Sequence, residues 1–397
     1  MNAEPPPRCP GSRVRGRRPE EILKPAGARC RVRAPGWPEP TPAGAARSDA
    51  SNSHLRMVET FERRDPPPPP PVPPGEDLAA AVTWFAGHFA ALQANVERVL
   101  LGKTDVVRMA LVCLFAEGHL LIDDVPGVGK TSLAKALAAS ISGSLSRIQF
   151  TPDLLPADIT GTVVLSDEGR DLVFRPGPVF ANIIVADEIN RASPKTQSAL
   201  LEVMEERHVT VDRTTRPVPR PFLVVATQNP VELVGTYDLP EAQIDRFLMR
   251  LSVGYPAPED EIDVVLNHVA GQTPEAIGAV THATTVAQLI DVARHVHVSR
   301  ALAGYCVELT TESRRLPDVR LGASPRGTVA LASAAQAHAA AHARAFATAD
   351  DVKAVAPAVL GHRLLLDDAG DPDGSVPATL VRDLLDRVPV PRQRPPE

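Results

Sequence analysis

The chain has 397 residues, 44% of them apolar, with 42 Lys plus Arg against 48 Asp plus Glu, which is enough apolar surface for a large core and two domains. Residues 77–397 alone carry a formal charge of −10, which argues against a body that coats nucleic-acid phosphates, and a stable nucleic-acid complex is not expected. The scattered cysteines Cys9, Cys30, Cys113 and Cys306 form no CxxC pair and no apolar run reaches the roughly 20 residues of a bilayer span, so disulfide-framework, zinc-knuckle and transmembrane classes are excluded and a cytoplasmic protein is expected.

Residues 1–76 hold 18 of the 41 prolines and show neither hydrophobic period. Residues 66–74 read PPPPPPVPP, an extended polyproline segment with no donors for a sheet, so a disordered Pro/Arg-rich tail is expected. Residues 1–56 are either part of that tail or an upstream stretch, with Met57 as the alternative start. Arg17 and Arg18 are followed by Pro19, Glu20 and Glu21, where an export signal needs an apolar segment.

From Asp77 the pattern changes. Leu78, Val82, Phe85, Phe89, Leu92, Val96 and Leu100 recur at three- and four-residue spacing and predict one helix, with a second over about 104–117. HLLID (119–123) predicts a buried strand, then a glycine turn and a helix over 132–142. Further strands are predicted at 147–150, 183–187 and 222–227, with a helix at about 194–206. Strands alternating with helices imply a mostly parallel sheet covered on both faces. Beyond about 256 the strand pattern stops and six helices are predicted near 258–270, 285–295, 298–315, 325–346, 349–365 and 376–387. The organisation expected is a tail (1–76), an α/β domain (77–255) and a helical domain (256–397).

Strand, glycine turn and helix in that order form a phosphate cradle, here Val125, Pro126, Gly127, Val128, Gly129, Lys130, Thr131 and Ser132. Lys130 is placed to reach β- and γ-phosphates and the Thr131 hydroxyl to ligate Mg²⁺. One position departs from the strict pattern: Asp124 stands where the first glycine is wanted. Asp187 and Glu188 end an apolar strand, at the edge where parallel sheets carry ligand sites; Asp187 suits the metal's water shell and Glu188 the attacking water. Asn229 ends another buried strand. Arg246 and Arg326 are candidates to neutralise charge on the γ-phosphoryl oxygens, one of them from a neighbouring subunit. His338 and His342, four apart on an Ala-rich helix, have no third ligand in the sequence pattern and are read as surface residues or packing in the helical domain, and His362-Arg363 as packing there.

The blocks DVPGVGKTSLAKALA, FTPDLLPADITG, FRPGPVFANIIVADEINRASPKTQSALLEVMEERHVTVD, ATQNPVELVGTYDLPEAQIDRFLMR, GASPRGTVALASAAQAHA and DDVKAVAPAVLGHRLLL closely resemble the MoxR family of AAA+ ATPases over roughly residues 77–390. The resemblance implies an αβα nucleotide-binding domain with a helical lid, a ring that is usually a hexamer, and hydrolysis of ATP with Mg²⁺ between subunits. It also implies the Walker A role for Lys130 and Thr131, Walker B for Asp187 and Glu188, sensor 1 for Asn229, the arginine finger for Arg246 and sensor 2 for Arg326. Inserted hairpins are implied at about 161–175 and 208–221. Asp124 departs from the general P-loop pattern, and 213–221 is less family-like than its surroundings.

The family's action resembles that of a chaperone, remodelling or activating partner proteins, often a von Willebrand factor A (VWA) protein or a metalloenzyme. Two alternatives share the nucleotide site: a magnesium-chelatase-like motor subunit and a DNA-acting AAA+ ATPase. The body's negative charge and lack of an appended reader domain weigh against the second.

Overall fold

The structure is a computed structural model that describes residues 77–124, 127–166, 171–228, 237–269, 277–366 and 376–391. The expectations for the tail 1–76, for Val125 and Pro126, and for Asn229 lie outside the described residues. Among the described residues no helix is long and apolar enough to cross a membrane.

Two helices open the fold, α1 (Leu78–Glu97) and α2 (Thr104–Phe115), the first capped by the Asp77 carboxylate accepting from Ala79 N at 3.0 Å. Its buried residues Val82, Phe85, Phe89, Leu92 and Val96 form the stripe the spacing predicts. Then β1 (Leu120–Asp123), α3 (Lys130–Ser140), β2 (Leu145–Gln149), α4 (Pro156–Thr160) and the hairpin β3 (Gly161–Leu165) with β4 (Leu172–Pro176) follow. After β5 (Ile183–Asp187) and α5 (Pro194–Glu206) a second hairpin, β6 (His208–Val211) with β7 (Thr214–Pro217), precedes β8 (Leu223–Gln228).

Strands β1, β2, β5 and β8 lie in one five-stranded sheet whose fifth member, β9 (Met249–Leu251), follows the short α6 (Glu241–Ile244). The order is β2-β5-β8-β1-β9 and every pairing is parallel. β9 was not predicted: three residues are too few to show a period. The sheet separates two apolar clusters, and strand alternation sorts the side chains between them. Ile183 and Val185 face the cluster of α1, α2 and α3, whereas Ile184 and Ala186 face that of α5 and the hairpin bases. With both faces covered, β5 and β8 read as continuous apolar runs.

The helical part comprises α7 (Pro258–Val269), α8 (Ala283–Arg294), α9 (Arg300–Ser313), α10 (Pro325–Ala341), α11 (Ala349–Leu360) and α12 (Val376–Arg387). Two features differ from the sequence reading. A short antiparallel ribbon, β10 (Val319–Leu321) with β11 (Leu365–Leu366), ties the helices together where only helix was expected. Moreover α8 and α10 share one apolar cluster with α1, α2 and one face of the sheet. The alanines of α10 permit that close approach: Ala330, Ala334, Ala335, Ala337, Ala339 and Ala340 are all buried.

His338, His342 and Asp351 bring ligand-type atoms within 4.8 Å of one another. Asp351 is nevertheless committed elsewhere: it caps α11, accepting from Thr348 N at 2.8 Å, and takes both guanidinium nitrogens of Arg344. His338 Nδ1 lies 2.7 Å from its Oδ1. These contacts serve lid packing. The free thiols of Cys113 and Cys306 are buried, and burial pushes the latter up to about 11.

Candidate nucleotide site

The chain leaves β1 through Asp124 and turns at Gly127 and Gly129, whose φ angles of 90° and 97° favour glycine, before α3 begins at Lys130. A Cβ on Gly127 would meet nothing within 4 Å, so this backbone lies open to a ligand. The positive end of α3 faces the same opening. The resulting cavity, ≈ 340 Å³, is lined by Gly127, Gly129, Lys130, Thr131, Ser132, Arg147, Gln149, Asp187, Glu188, Thr227 and Gln228.

Lys130 Nζ donates to the carbonyl of Asp124 at 2.5 Å and to that of Gln228 at 3.3 Å. Burial pulls its ammonium below the ordinary lysine value, opposed by the carboxylates of Asp124, Asp123, Asp187 and Glu188. The Asp124 side chain has a separate task, which explains the departure from glycine. Its Oδ2 accepts from Val253 N and Gly254 N, both at 2.7 Å, and from Ser252 Oγ at 3.0 Å. The P-loop is thereby bonded to the segment leaving β9.

Asp187 and Glu188 diverge as strand geometry requires. Asp187 is buried, pairs with Arg147 Nε at 2.6 Å and accepts from the Thr227 hydroxyl at 3.3 Å. Glu188 adopts φ 56°, an uncommon conformation for a residue with a long side chain, and its N–H donates to Thr227 Oγ1 at 3.0 Å. Its Oε2 accepts from Gln149 Nε2 at 2.9 Å and lies 3.3 Å from Arg191 Nε. Thus Thr227 braces both acids, and β2 supplies a partner to each. The sequence reading missed Arg147, Gln149 and Thr227; the available signal was the spacing of Arg147 and Gln149, two apart on a strand paired with β5.

Arg246 and Arg326 do not line this cavity. They meet instead on Glu205 near the end of α5: Arg246 Nε is 3.2 Å from Oε2, and Arg326 pairs with Oε1. A buried hub holds them there. Arg363, whose side chain is 3% exposed, pairs with Asp245 Oδ1 at 2.6 Å and donates to the carbonyls of Asp245, Phe247, Leu248 and Val359. Ser324, the cap of α10, donates to Asp245 Oδ2 at 2.8 Å, and His362 Nε2 donates to the Phe247 carbonyl at 3.1 Å. One carboxylate, Asp245, therefore fixes the residue before Arg246 and the turn before Arg326.

A glycine cradle on a helix N-terminus, a lysine, and two acids at the end of a neighbouring parallel strand bind and polarise phosphates. Comparison with known proteins agrees. Residues 119–249 match the ATPase family associated with various cellular activities (AAA), and residues 311–384 match the AAA lid domain. The chain is 41% identical to the chaperone MoxR1 of Mycobacterium tuberculosis over 75% of its own length and 81% of the relative's. The chain belongs to the MoxR family of AAA+ ATPases. The MoxR protein of Paracoccus denitrificans is 32% identical over 78% of this chain and 97% of its own. An uncharacterised Bacillus subtilis protein, YeaC, is 46% identical over 76% and 94%. A solved structure from Cytophaga hutchinsonii, assigned as an ATPase, superposes with a TM-score of 0.73 at 33% identity, covering 79% of this chain and 98% of that one. ATP hydrolysis is the general kind of activity of this family, and chaperone-like action is its general role.

Proposed function

We propose that this chain hydrolyses magnesium-complexed ATP at contacts between copies in a ring, a hexamer, and uses the cycle to remodel or activate a partner protein in the cytoplasm, such as a VWA-domain protein or a metalloenzyme. The observation that carries this reading is the division of labour above. Cradle, lysine and both acids share one cavity, while the two candidate arginines are held together outside it, on a surface suited to complete a neighbour's site.

In this reading the amides around Gly127 and Gly129 and the Lys130 ammonium hold the β- and γ-phosphates. Thr131 and Asp187 fit a magnesium ion: a hydroxyl and a buried carboxylate lie in one cavity, and that carboxylate already pairs with a cation, Arg147. Bound there, the ion would screen charge on the phosphate oxygens. Glu188 takes the proton of the attacking water, held in place by Gln149 and Arg191, and Asn229 orients that water. Arg246 of the adjoining copy, with Arg326 beside it, neutralises charge on the transferred phosphoryl group.

Residues 77–255 act as motor and 256–397 as lid, with the Asp245–Arg363 hub conveying the state of one to the other. An apolar stripe on α7 supports association of copies. Ile262, Val265, Leu266 and Val269 recur at helical spacing and are all exposed, on a helix too short to be stable uncovered. The test is Glu188→Gln, expected to bind ATP but not turn it over, and so to retain its client in a pull-down. Undiminished turnover by that variant, or by Lys130→Ala, would overturn the reading.

A further inference from the structure

The Asp187 carboxylate has conflicting obligations. Its side chain is 10% exposed, so in a desolvated setting it needs a positive partner. That partner is Arg147 on the edge strand β2, 2.6 Å away through Nε, while the Thr227 hydroxyl engages the other oxygen. The Arg147 side chain is itself 58% exposed, so as a fold-stabilising pair the contact is worth little. Its position is informative for another reason. Arg147 lines the same cavity as Lys130 and Thr131, and its exposed guanidinium has room to leave the carboxylate.

We propose that Arg147 is a built-in counter-cation that competes with a divalent metal for Asp187, and so sets how strongly the site prefers metal-complexed over metal-free nucleotide. The proposal rests on the reading of this cavity as a Mg²⁺-nucleotide site. While the guanidinium holds Asp187, the carboxylate is neutralised. Released, the same guanidinium stands at the wall of the phosphate pocket, where five donors on a planar fork suit phosphate oxygens. Arg147 is thus a positioning residue at Asp187 and a phosphate-binding one beside it. Removing it takes a competitor from the metal and a cation from the phosphates of the metal-free nucleotide. Both effects change the ratio of the two affinities in one direction.

The experiment titrates the full-length protein with a fluorescent ADP analogue in Mg²⁺ and again in excess EDTA, for wild type, Arg147→Gln and Arg147→Lys, with thermal melting to confirm folding. For Arg147→Gln the EDTA-to-Mg²⁺ ratio of dissociation constants is expected to rise by about fivefold or more, the scale of one partly exposed ion pair. Arg147→Lys, which keeps the charge, is expected to fall between wild type and the glutamine variant. A ratio for Arg147→Gln within about twofold of wild type, a fall in that ratio, or a lysine variant identical to the glutamine one would overturn the proposal. Wild type that binds the analogue in neither condition would overturn the nucleotide reading along with it, whereas binding with an unchanged ratio would overturn the role of Arg147 alone.

Discussion

Replacing Asp124 with glycine would bring the P-loop closer to its general pattern, yet the structure predicts that it weakens the protein. Three donors converge on Asp124 Oδ2, two backbone amides at 2.7 Å and the Ser252 hydroxyl at 3.0 Å. Hydrogen bonds to a charged acceptor contribute about 1.5–3 kcal/mol each when buried, and part exposure here reduces that to about 1 kcal/mol. Added backbone freedom at glycine costs up to about 1 kcal/mol more. Asp124→Gly should therefore lower the unfolding free energy by roughly 3–4 kcal/mol, a shift of about 1 M in the urea midpoint at a slope near 3 kcal/mol/M. Asp124→Asn, which keeps an acceptor but loses its charge, should fall about half-way. Circular dichroism at 222 nm against urea reads both. A glycine variant within about 0.5 kcal/mol of wild type would refute the assignment of Asp124 as the bond between the P-loop and the segment after β9.

Two buried histidines predict a pH dependence. His119 donates from Nε2 to the Met204 carbonyl and accepts at Nδ1 from Val224 N, each at 3.0 Å, so its ring is neutral; burial, helped by the Arg207 charge, lowers its pKa to about 3. Burial, then the Arg363 charge, also pushes His362 well below the ordinary histidine value. The unfolded chain takes up these protons near pH 6.5 and the folded chain refuses them. Stability is thus complete above pH 6.5 and declines below it by about 1.4 kcal/mol per pH unit per histidine. Urea midpoints at pH 7.5 and pH 5.0 should differ accordingly, and His119→Gln should flatten the slope; a slope unaltered by that variant would contradict the assignment. Arg363→Ala takes a donor from Asp245 Oδ1 and from the main-chain carbonyls of Asp245, Phe247, Leu248 and Val359, and should cost about 3–5 kcal/mol in the same assay. Arg363→Lys should recover little, because an ammonium cannot span those acceptors.

The residues that line the cavity together were legible because phosphate binding asks for fixed residue types at short spacing: glycines, lysine and hydroxyl in one turn, and two acids closing an apolar strand. Asp124 was legible only as a deviation, since its partners lie about 130 residues further along. Arg147 and Gln149 were missed for a related reason. On an edge strand half its residues face solvent, and a polar residue there looks like any other until pairing sets it against Asp187 and Glu188. The two arginines stood out by type, but their meeting on Glu205 depends on a buried Asp245–Arg363 contact that no local pattern encodes. β9, β10 and β11, at two or three residues each, fall below the length at which alternation is visible.

The central claim, that one copy's cavity is completed by another's arginine, is tested most directly by mixing two inactive variants. On the proposed reading, Glu188→Gln retains Arg246 but loses the base for the attacking water, whereas Arg246→Ala retains Glu188 but has no arginine to offer. With random assembly about one contact in four joins an intact cavity to an intact arginine. The account predicts that the mixture, co-refolded or co-expressed, recovers about a quarter of wild-type ATP turnover although neither variant alone does. A mixture no more active than its components would contradict it.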